Sequence, residues 1–370
     1  MTRKLGRTGL HVPVIGFGGA RIGIGSPQDL VLGRGAPRWD EALRIVRAAY
    51  DLGIRYFDTS RGYADSDEKI GAALKPVRDD VVIATKCQVR FKSQAERLLR
   101  HSFRNLQTDV LDIVQLHGYD DPKALETAMS SRGALQALKE ARSKGTVRFI
   151  GVTGHNPRTL TKAVKTGEFD TVLVPLNYIE REAIEELLPT AKEMDVGVVI
   201  MKAFIITPDQ VYNFANGPRY LQRLYGKEDD NIPERVLRYV LGHDISVVIP
   251  GFISVPEIEF AVKVAERFHG LTDEERETFR FMRLPKEPFC RECGLCQPCP
   301  EFIPIPTVLR YYKFQSAYGL SEYAQEHYRA LSTRANVCTQ CGECEPRCPY
   351  KLPIIQMLHE ADEAMREKHP

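Results

Sequence analysis

Two cysteine-rich strings have the residue types and spacing that point most directly to chemistry. They are CRECGLCQPCP, with Cys290, Cys293, Cys296 and Cys299, and CTQCGECEPRCP, with Cys338, Cys341, Cys344 and Cys348. Eight of the nine cysteines therefore fall in the last quarter of the chain. The second string is Cys-x2-Cys-x2-Cys-x3-Cys-Pro, a spacing that wraps three thiolates around one cubane 4Fe–4S cluster and sends the fourth to a neighbouring cluster. Two strings imply two clusters. The first string places two residues rather than three before Cys299. The expected sets are Cys290, Cys293, Cys296 and Cys348 for one cluster and Cys338, Cys341, Cys344 and Cys299 for the other.

Two other uses of cysteine compete. Disulfides need an oxidising compartment, and the N-terminus MTRKLGRTGLHVPVIGFG has no apolar signal run with a small-residue cleavage site. Structural zinc also uses paired Cys-x2-Cys units, but four cysteines at two-residue intervals followed by proline make a poor zinc ribbon.

The first 280 or so residues alternate short β-branched runs with amphipathic stretches. Strands are expected at Val14–Gly18, Arg55–Asp58, Val81–Thr85, Leu111–Leu116, Phe149–Val152, Val172–Val174, Gly197–Ile200 and Ser246–Ile249. Helices are expected at Arg38–Leu52, Pro122–Lys144, Asn156–Thr166, Arg181–Met194 and Pro233–Leu241. Eight strands alternating with helices suit a (β/α)8 TIM barrel over residues 1–283. A small α-helical, bacterial-ferredoxin-like iron–sulfur domain would follow over residues 284–370. Barrel chemistry sits at the C-terminal ends of the strands, where Asp58, Lys86 and His117 lie, with Tyr63 in the loop after Asp58.

Singly, each of these residues has a structural explanation; a lone strand-end histidine is more often structural than catalytic. Together, the strings FDTSRGYADSDEKIG, IATK and VQLHG, with KLGRTGLHVPVIGFGGARIG at the start and VVIPGF after the last strand, closely resemble the aldo-keto reductase family. The resemblance covers nearly the whole barrel. It implies a catalytic tetrad of Asp58, Tyr63, Lys86 and His117 that reduces a carbonyl, or oxidises an alcohol, with NAD(P)H. A phenol of ordinary pKa about 10 is a reluctant acid at neutral pH. The Lys86 ammonium would stabilise its phenolate and make Tyr63 a better donor. Asp58 would hold Lys86, and His117 would orient the carbonyl oxygen.

The same resemblance implies cofactor contacts from Gly18, Gly19, Asp58, Thr153, Met201, Gly251, Phe252, Ser254 and Glu257. Here the chain departs from the family pattern. Gly154 stands where asparagine is usual and Leu173 where glutamine is common. Gly251 and Glu257 replace the lysine and arginine that grip a 2′-phosphate, and Phe260 and Ala261 fall where glutamate and asparagine often contact adenine. A carboxylate at 257 would repel a 2′-phosphate, which favours NADH or dual use. GFGGAR, from Gly16 to Arg21, lacks the third glycine of a Rossmann turn. The glycine- and proline-rich insert from Arg21 to Trp39 reads as a loop over the active site, with Arg21 and Arg61 flanking its mouth as candidate anion binders. Cys87, next to Lys86, reads as a buried core thiol.

Composition limits the partners. A charge of +2 from 51 basic and 49 acidic residues gives no case for nucleic acid. No apolar run approaches the roughly 20 residues that span a bilayer, so a cytoplasmic protein with no membrane partner is expected. Between the cysteine strings, Tyr311, Tyr312, Phe314, Tyr318, Tyr323 and Tyr328 read as packing onto the clusters or the barrel wall. Pro353–Lys368 reads as a closing amphipathic helix. Two functions compete: a carbonyl reductase with an accessory iron–sulfur tail, and an electron-transfer oxidoreductase whose clusters exchange electrons with a ferredoxin-type partner. A non-catalytic, redox-sensing barrel is a third.

Overall fold

The structure, a computed structural model, describes residues 1–24, 36–178, 180–204, 232–281, 289–316 and 321–366. It divides into two compact units; among the described residues, those up to Phe279 other than Ile232 belong to the first, and Ile232 and those from Arg280 onward to the second. The boundary expected between 283 and 284 lies outside the described residues, as do residues 25–35 of the expected active-site loop and Tyr318.

The first unit is built on a parallel sheet of eight strands: β3 (Phe17–Gly18), β4 (Tyr56–Asp58), β5 (Val82–Cys87), β6 (Leu111–Leu116), β7 (Val147–Thr153), β8 (Thr171–Pro175), β9 (Gly197–Met201) and β10 (Val247–Val248), each paired with the next. The sheet closes on itself. Parallel bridges join Ile15 to Val248 and Gly18 to Gly251, and the Gly16 and Gly18 N–H groups donate to the Val248 and Pro250 carbonyls at 2.8 Å. This is the (β/α)8 arrangement. A short antiparallel hairpin, β1 (Thr2–Lys4) and β2 (His11–Pro13), precedes it. Its Leu5 and Val12 are fully buried in one cluster with Tyr56, Ala84, Ile113, Leu173, Val199, Val247 and Ile249. Gly6 takes φ +50°, and a Cβ there would lie 2.2 Å from the Gly197 nitrogen, so the hairpin can cross β9 only with glycine at this point.

Strand alternation explains where the chemistry sits. Side chains two residues apart share a face, so the apolar layer of Tyr56, Ala84, Ile113 and Val199 is followed one step later by Asp58, Lys86, Gln115 and Met201. The polar residues thus gather at the C-terminal rim, above a packed floor.

Three element boundaries differ from expectation for local reasons. The stretch Pro122–Lys144 is two helices, Pro122–Met129 and Ala134–Ser143. Gly133, bridged to Phe91, passes so close to Ala128 that a Cβ would lie 2.1 Å from its carbonyl oxygen. Before β9, the helix starts only at Leu187, after a 3-10 turn at Glu182–Ile184, because Pro189 has no N–H and is tolerated only in a first turn. Finally, β5 runs through Cys87, so Lys86 is inside the strand rather than at its end.

In the second unit, helices Ile305–Ser316, Ser321–Arg329 and Ile354–Arg366 pack together. The last turns Ile354, Met357, Leu358, Ala361 and Met365 inward, the amphipathic pattern expected of it. Tyr311, Phe314 and Tyr328 are buried. Among the described residues no helix is long and apolar enough to cross a membrane.

Because Leu5 joins the barrel floor from a separate hairpin, Leu5→Ala is expected to cost about 2–5 kcal/mol. The measurement is urea unfolding, with a lowered midpoint and an unchanged slope. A loss under about 0.5 kcal/mol, the range of surface substitutions, would show that the hairpin contributes nothing to the floor.

Candidate active site

Lys86 is fully buried, and its ammonium has three hydrogen-bond donors to place. One goes to the Asp58 carboxylate and one to the Thr59 carbonyl at 2.8 Å, and the Tyr63 ring lies beside the ammonium. Asp58, also buried, accepts a second bond at 2.9 Å from the Gln115 side-chain amide. Three adjacent strands supply these groups: Asp58 lies across from Ala84, and Lys86 lies across from Gln115. The Lys86 Nζ is 4.7 Å from the Tyr63 ring centroid, and the His117 ring meets Tyr63 edge-on at 5.9 Å. All four expected tetrad residues therefore converge on one side of the rim.

The electrostatics refine the expectation for Tyr63. Burial raises its hydroxyl above the ordinary phenol value, and the Lys86 ammonium pulls it down only in part. The net direction is upward, so Lys86 limits the rise rather than producing a depressed phenol. Burial lowers Lys86, but Asp58 and Tyr63 outweigh that and hold its ammonium above the usual lysine value. Burial likewise raises the Asp58 carboxyl against the pull of Lys86 and Gln115. Burial, followed by repulsion from Lys86 and His155, holds His117 well below the usual imidazole value. His117 is therefore neutral at pH 7. Its Nδ1 faces the Gln88 side-chain nitrogen at 2.8 Å and the Ser60 hydroxyl at 3.4 Å.

The expected cofactor residues are more dispersed. Thr153 ends β7 buried, its carbonyl accepting from the Gly118 and Tyr119 N–H groups at 2.9 Å. Met201 packs on the barrel floor. Gly18 and Gly19 are dictated by backbone crowding: a Cβ would lie 2.7 Å from the Ile249 carbonyl oxygen at one and 2.7 Å from the Asp58 carbonyl oxygen at the other. Phe252 is fully buried against Phe17, ring centroids 5.9 Å apart. Ser254 precedes the helix Val255–Arg267, and Glu257 lies in its first turn. Glu257 is not an exposed carboxylate. It is 4% exposed, accepts from the Ile253 N–H at 2.8 Å and faces the Arg21 guanidinium at 4.0 Å. Arg21 is thus buried rather than lining an open mouth, and Arg61 is 3.5 Å from the buried Asp67 carboxylate.

The departures at 154 and 173 acquire physical reasons. A Cβ at Gly154 would lie 2.8 Å from Asp120 Oδ1. That carboxylate receives the backbone N–H groups of His155 and of Asn156, the latter at 2.7 Å, beside the start of the next helix. Asp120 has taken the space a side chain at 154 would need, while Leu173 belongs to the apolar floor. Cys87 is fully buried and its thiol is pushed up to about 11 by burial, the inert state expected of it.

In the second unit the cysteines line two cavities. Cys290, Cys293, Cys296 and Cys348 surround one with Leu309, Tyr350, Leu352 and Ile354. Cys299, Cys338, Cys341 and Cys344, with Cys296 shared, surround the other with Ile305, Ile355 and Leu358. Among the described residues no three His, Cys, Asp or Glu side chains converge on a single-ion site. Sulfurs spread around apolar walls suit a multi-iron cluster held at its corners. Burial pushes the Cys290 thiol up to about 11 and the Cys296 thiol up to about 12, with neighbouring charges adding to both. Such thiols ionise only when a cationic group compensates them. The residues present therefore fit iron–sulfur clusters.

Residues 14–280 match the aldo/keto reductase family, and residues 289–353 match a 4Fe-4S dicluster domain. The chain belongs to the aldo/keto reductase family. It is 35% identical over 212 residues to L-galactose dehydrogenase of Arabidopsis thaliana, covering 53% of this chain and 63% of that relative. It is 29% identical over 234 residues to D-threo-aldose 1-dehydrogenase of a Pseudomonas species, covering 53% and 67%. The chain thus spans about two thirds of the length of these curated relatives. The aldo-keto reductase AKR11C1 from Bacillus halodurans superposes with a TM-score of 0.60 at 25% identity over 75% of this chain and 95% of that one. A Klebsiella pneumoniae aldo-keto reductase solved in complex with NADPH shares the fold, with a TM-score of 0.59 at 21% identity over 78% and 98%.

Sequence reasoning missed Gln115, Gln88, Ser60 and Asp120. The polar Gln115 inside the otherwise apolar end of LDIVQL was the readable signal; Asp120 had none, because its partner at 154 is an absent side chain.

If Asp120 excludes a side chain at 154, Gly154→Asn should destabilise by about 1–3 kcal/mol, and the double variant Asp120→Gly/Gly154→Asn should cost less than the sum of the singles. Additivity in a thermal-unfolding cycle would refute the steric account.

Proposed function

We propose that this chain is an oxidoreductase that reduces a small carbonyl compound, or oxidises the corresponding alcohol, with Asp58, Tyr63, Lys86 and His117 as its catalytic residues. The observation that carries the reading is the buried Lys86 ammonium, bonded to Asp58 and the Thr59 carbonyl and set 4.7 Å from the centre of the Tyr63 ring. A bound nicotinamide would supply the hydride that no side chain can. Tyr63, protonated at neutral pH, gives its proton to the oxygen of the reduced carbonyl, and Lys86 stabilises the phenolate left behind. His117, neutral, hydrogen-bonds the same oxygen. Asp58, braced by Gln115, keeps Lys86 aimed at Tyr63.

The nicotinamide dinucleotide would lie along Thr153, Met201 and the Gly251–Glu257 segment. Neither Gly251 nor Glu257 offers a cation to a 2′-phosphate, and Arg21 offsets the Glu257 charge, so we assign NADH or dual use. In fluorescence titrations the two dissociation constants are expected to agree within about tenfold, ~1.4 kcal/mol. Selective NADPH binding beyond that range would overturn the assignment.

Two 4Fe–4S clusters are proposed for the second unit, held by Cys290, Cys293, Cys296 and Cys348 and by Cys338, Cys341, Cys344 and Cys299. Anaerobic preparation should yield about eight irons per chain; four, or stoichiometric zinc, would contradict it. A second reading is favoured by the filled positions at 154 and 173, which lack the usual carboxamide contacts. In it the clusters pass electrons to or from a ferredoxin-type partner, and turnover requires that partner rather than nicotinamide.

Tyr63→Phe is expected to lower NAD(P)H-dependent turnover by about 10²–10⁴-fold, while Cys341→Ala leaves it intact in the folded protein. Because burial holds Tyr63 above the usual phenol value, reduction should stay flat through neutral pH and fall only in strong alkali. Alcohol oxidation, which needs the phenolate, should rise with pH over the same range. Undiminished turnover in Tyr63→Phe, or oxidation that falls with rising pH, would remove the assignment.

A further inference from the structure

We propose that Gln88 is a positioning residue that, together with Ser60, fixes His117 in the tautomer whose Nε2 carries the proton. The inference rests on the carbonyl-reductase reading of the site and assigns a role to a residue outside the tetrad. Gln88 lies two residues beyond Lys86, past the end of β5, with its amide nitrogen 2.8 Å from His117 Nδ1. With the amide nitrogen turned to the ring, Gln88 donates and Nδ1 accepts without a proton of its own. Ser60 points the same way. Its hydroxyl accepts from the Gly62 N–H at 3.1 Å and from the Gln88 amide nitrogen at 3.4 Å, which uses both of its lone pairs and leaves its proton to point toward Nδ1, 3.4 Å away.

Gly62 completes the seat. A Cβ there would lie 2.0 Å from the Gln88 amide nitrogen, so an alanine would displace the amide from the imidazole. The charged or titratable groups facing His117 are Lys86 on β5, Tyr63 after β4 and His155 after β7. None of them places an acceptor on Nδ1. A neutral ring with Nδ1 occupied by donors presents Nε2–H, the donor that a carbonyl oxygen requires.

The test uses the full-length holoprotein labelled with 15N-histidine, with His117 assigned by loss of its signals in His117→Gln. Long-range proton–nitrogen spectra are expected to show one Nε2–H tautomer. Gln88→Glu puts an acceptor at Nδ1 and should move the ring to the Nδ1–H or doubly protonated form. Gly62→Ala should produce a mixture. In both, kcat for carbonyl reduction should fall by about tenfold or more with KM little changed. A wild-type Nδ1–H ring overturns the proposal, as does a Gln88→Glu spectrum and kcat matching wild type. The spectrum is read without turnover, so an inactive wild-type protein defeats the reductase reading while the tautomer still decides the role of Gln88.

Discussion

The rim of the barrel is organised around one buried positive charge. An ammonium removed from water is costly unless every donor finds a partner and an opposite charge lies close. Lys86 bonds the Asp58 carboxylate and the Thr59 carbonyl, with the Tyr63 ring centre 4.7 Å away. Removing one partner of such a buried pair typically costs about 3–5 kcal/mol, so Asp58 and Lys86 can be kept only together. Gln115 on β6 braces the Asp58 side of that pair with a bond at 2.9 Å. The apolar floor beneath it, sealed by the hairpin residues Leu5 and Val12, keeps water from screening the charge.

The opposing influences on Tyr63 give the pair its use. Burial alone would leave a phenol with little tendency to give up its proton, and Lys86 returns part of that acidity. His117 is driven the other way, into the neutral state, by burial and by the same ammonium. One charge thus pulls the phenol toward ionisation and pushes the imidazole beside it toward the neutral form.

Much of this was legible in the sequence, because strand alternation and strand-end position are local properties. Asp58, Lys86 and His117 were placed by the pattern of apolar runs, and the eight cysteines by their spacing. What was not legible depends on contacts between distant segments. The Glu257 carboxylate reads as repulsive to a 2′-phosphate until Arg21, 236 positions earlier in the numbering, is found 4.0 Å away. Gly154 reads as a lost contact until Asp120 is found filling its space. The break at Gly133 needed the Phe91 backbone, and the sharing of Cys296 between two cavities needed the folded second unit.

The central claim is that Lys86 opposes burial in setting the acidity of Tyr63. Ultraviolet difference titration of the phenol, taken between the parent protein and its Tyr63→Phe counterpart, tests it directly when repeated in the Lys86→Met background. The account predicts ionisation above the ordinary phenol value in the parent and a further rise when the ammonium is removed. Ionisation below that value, or one indifferent to the loss of Lys86, would contradict it.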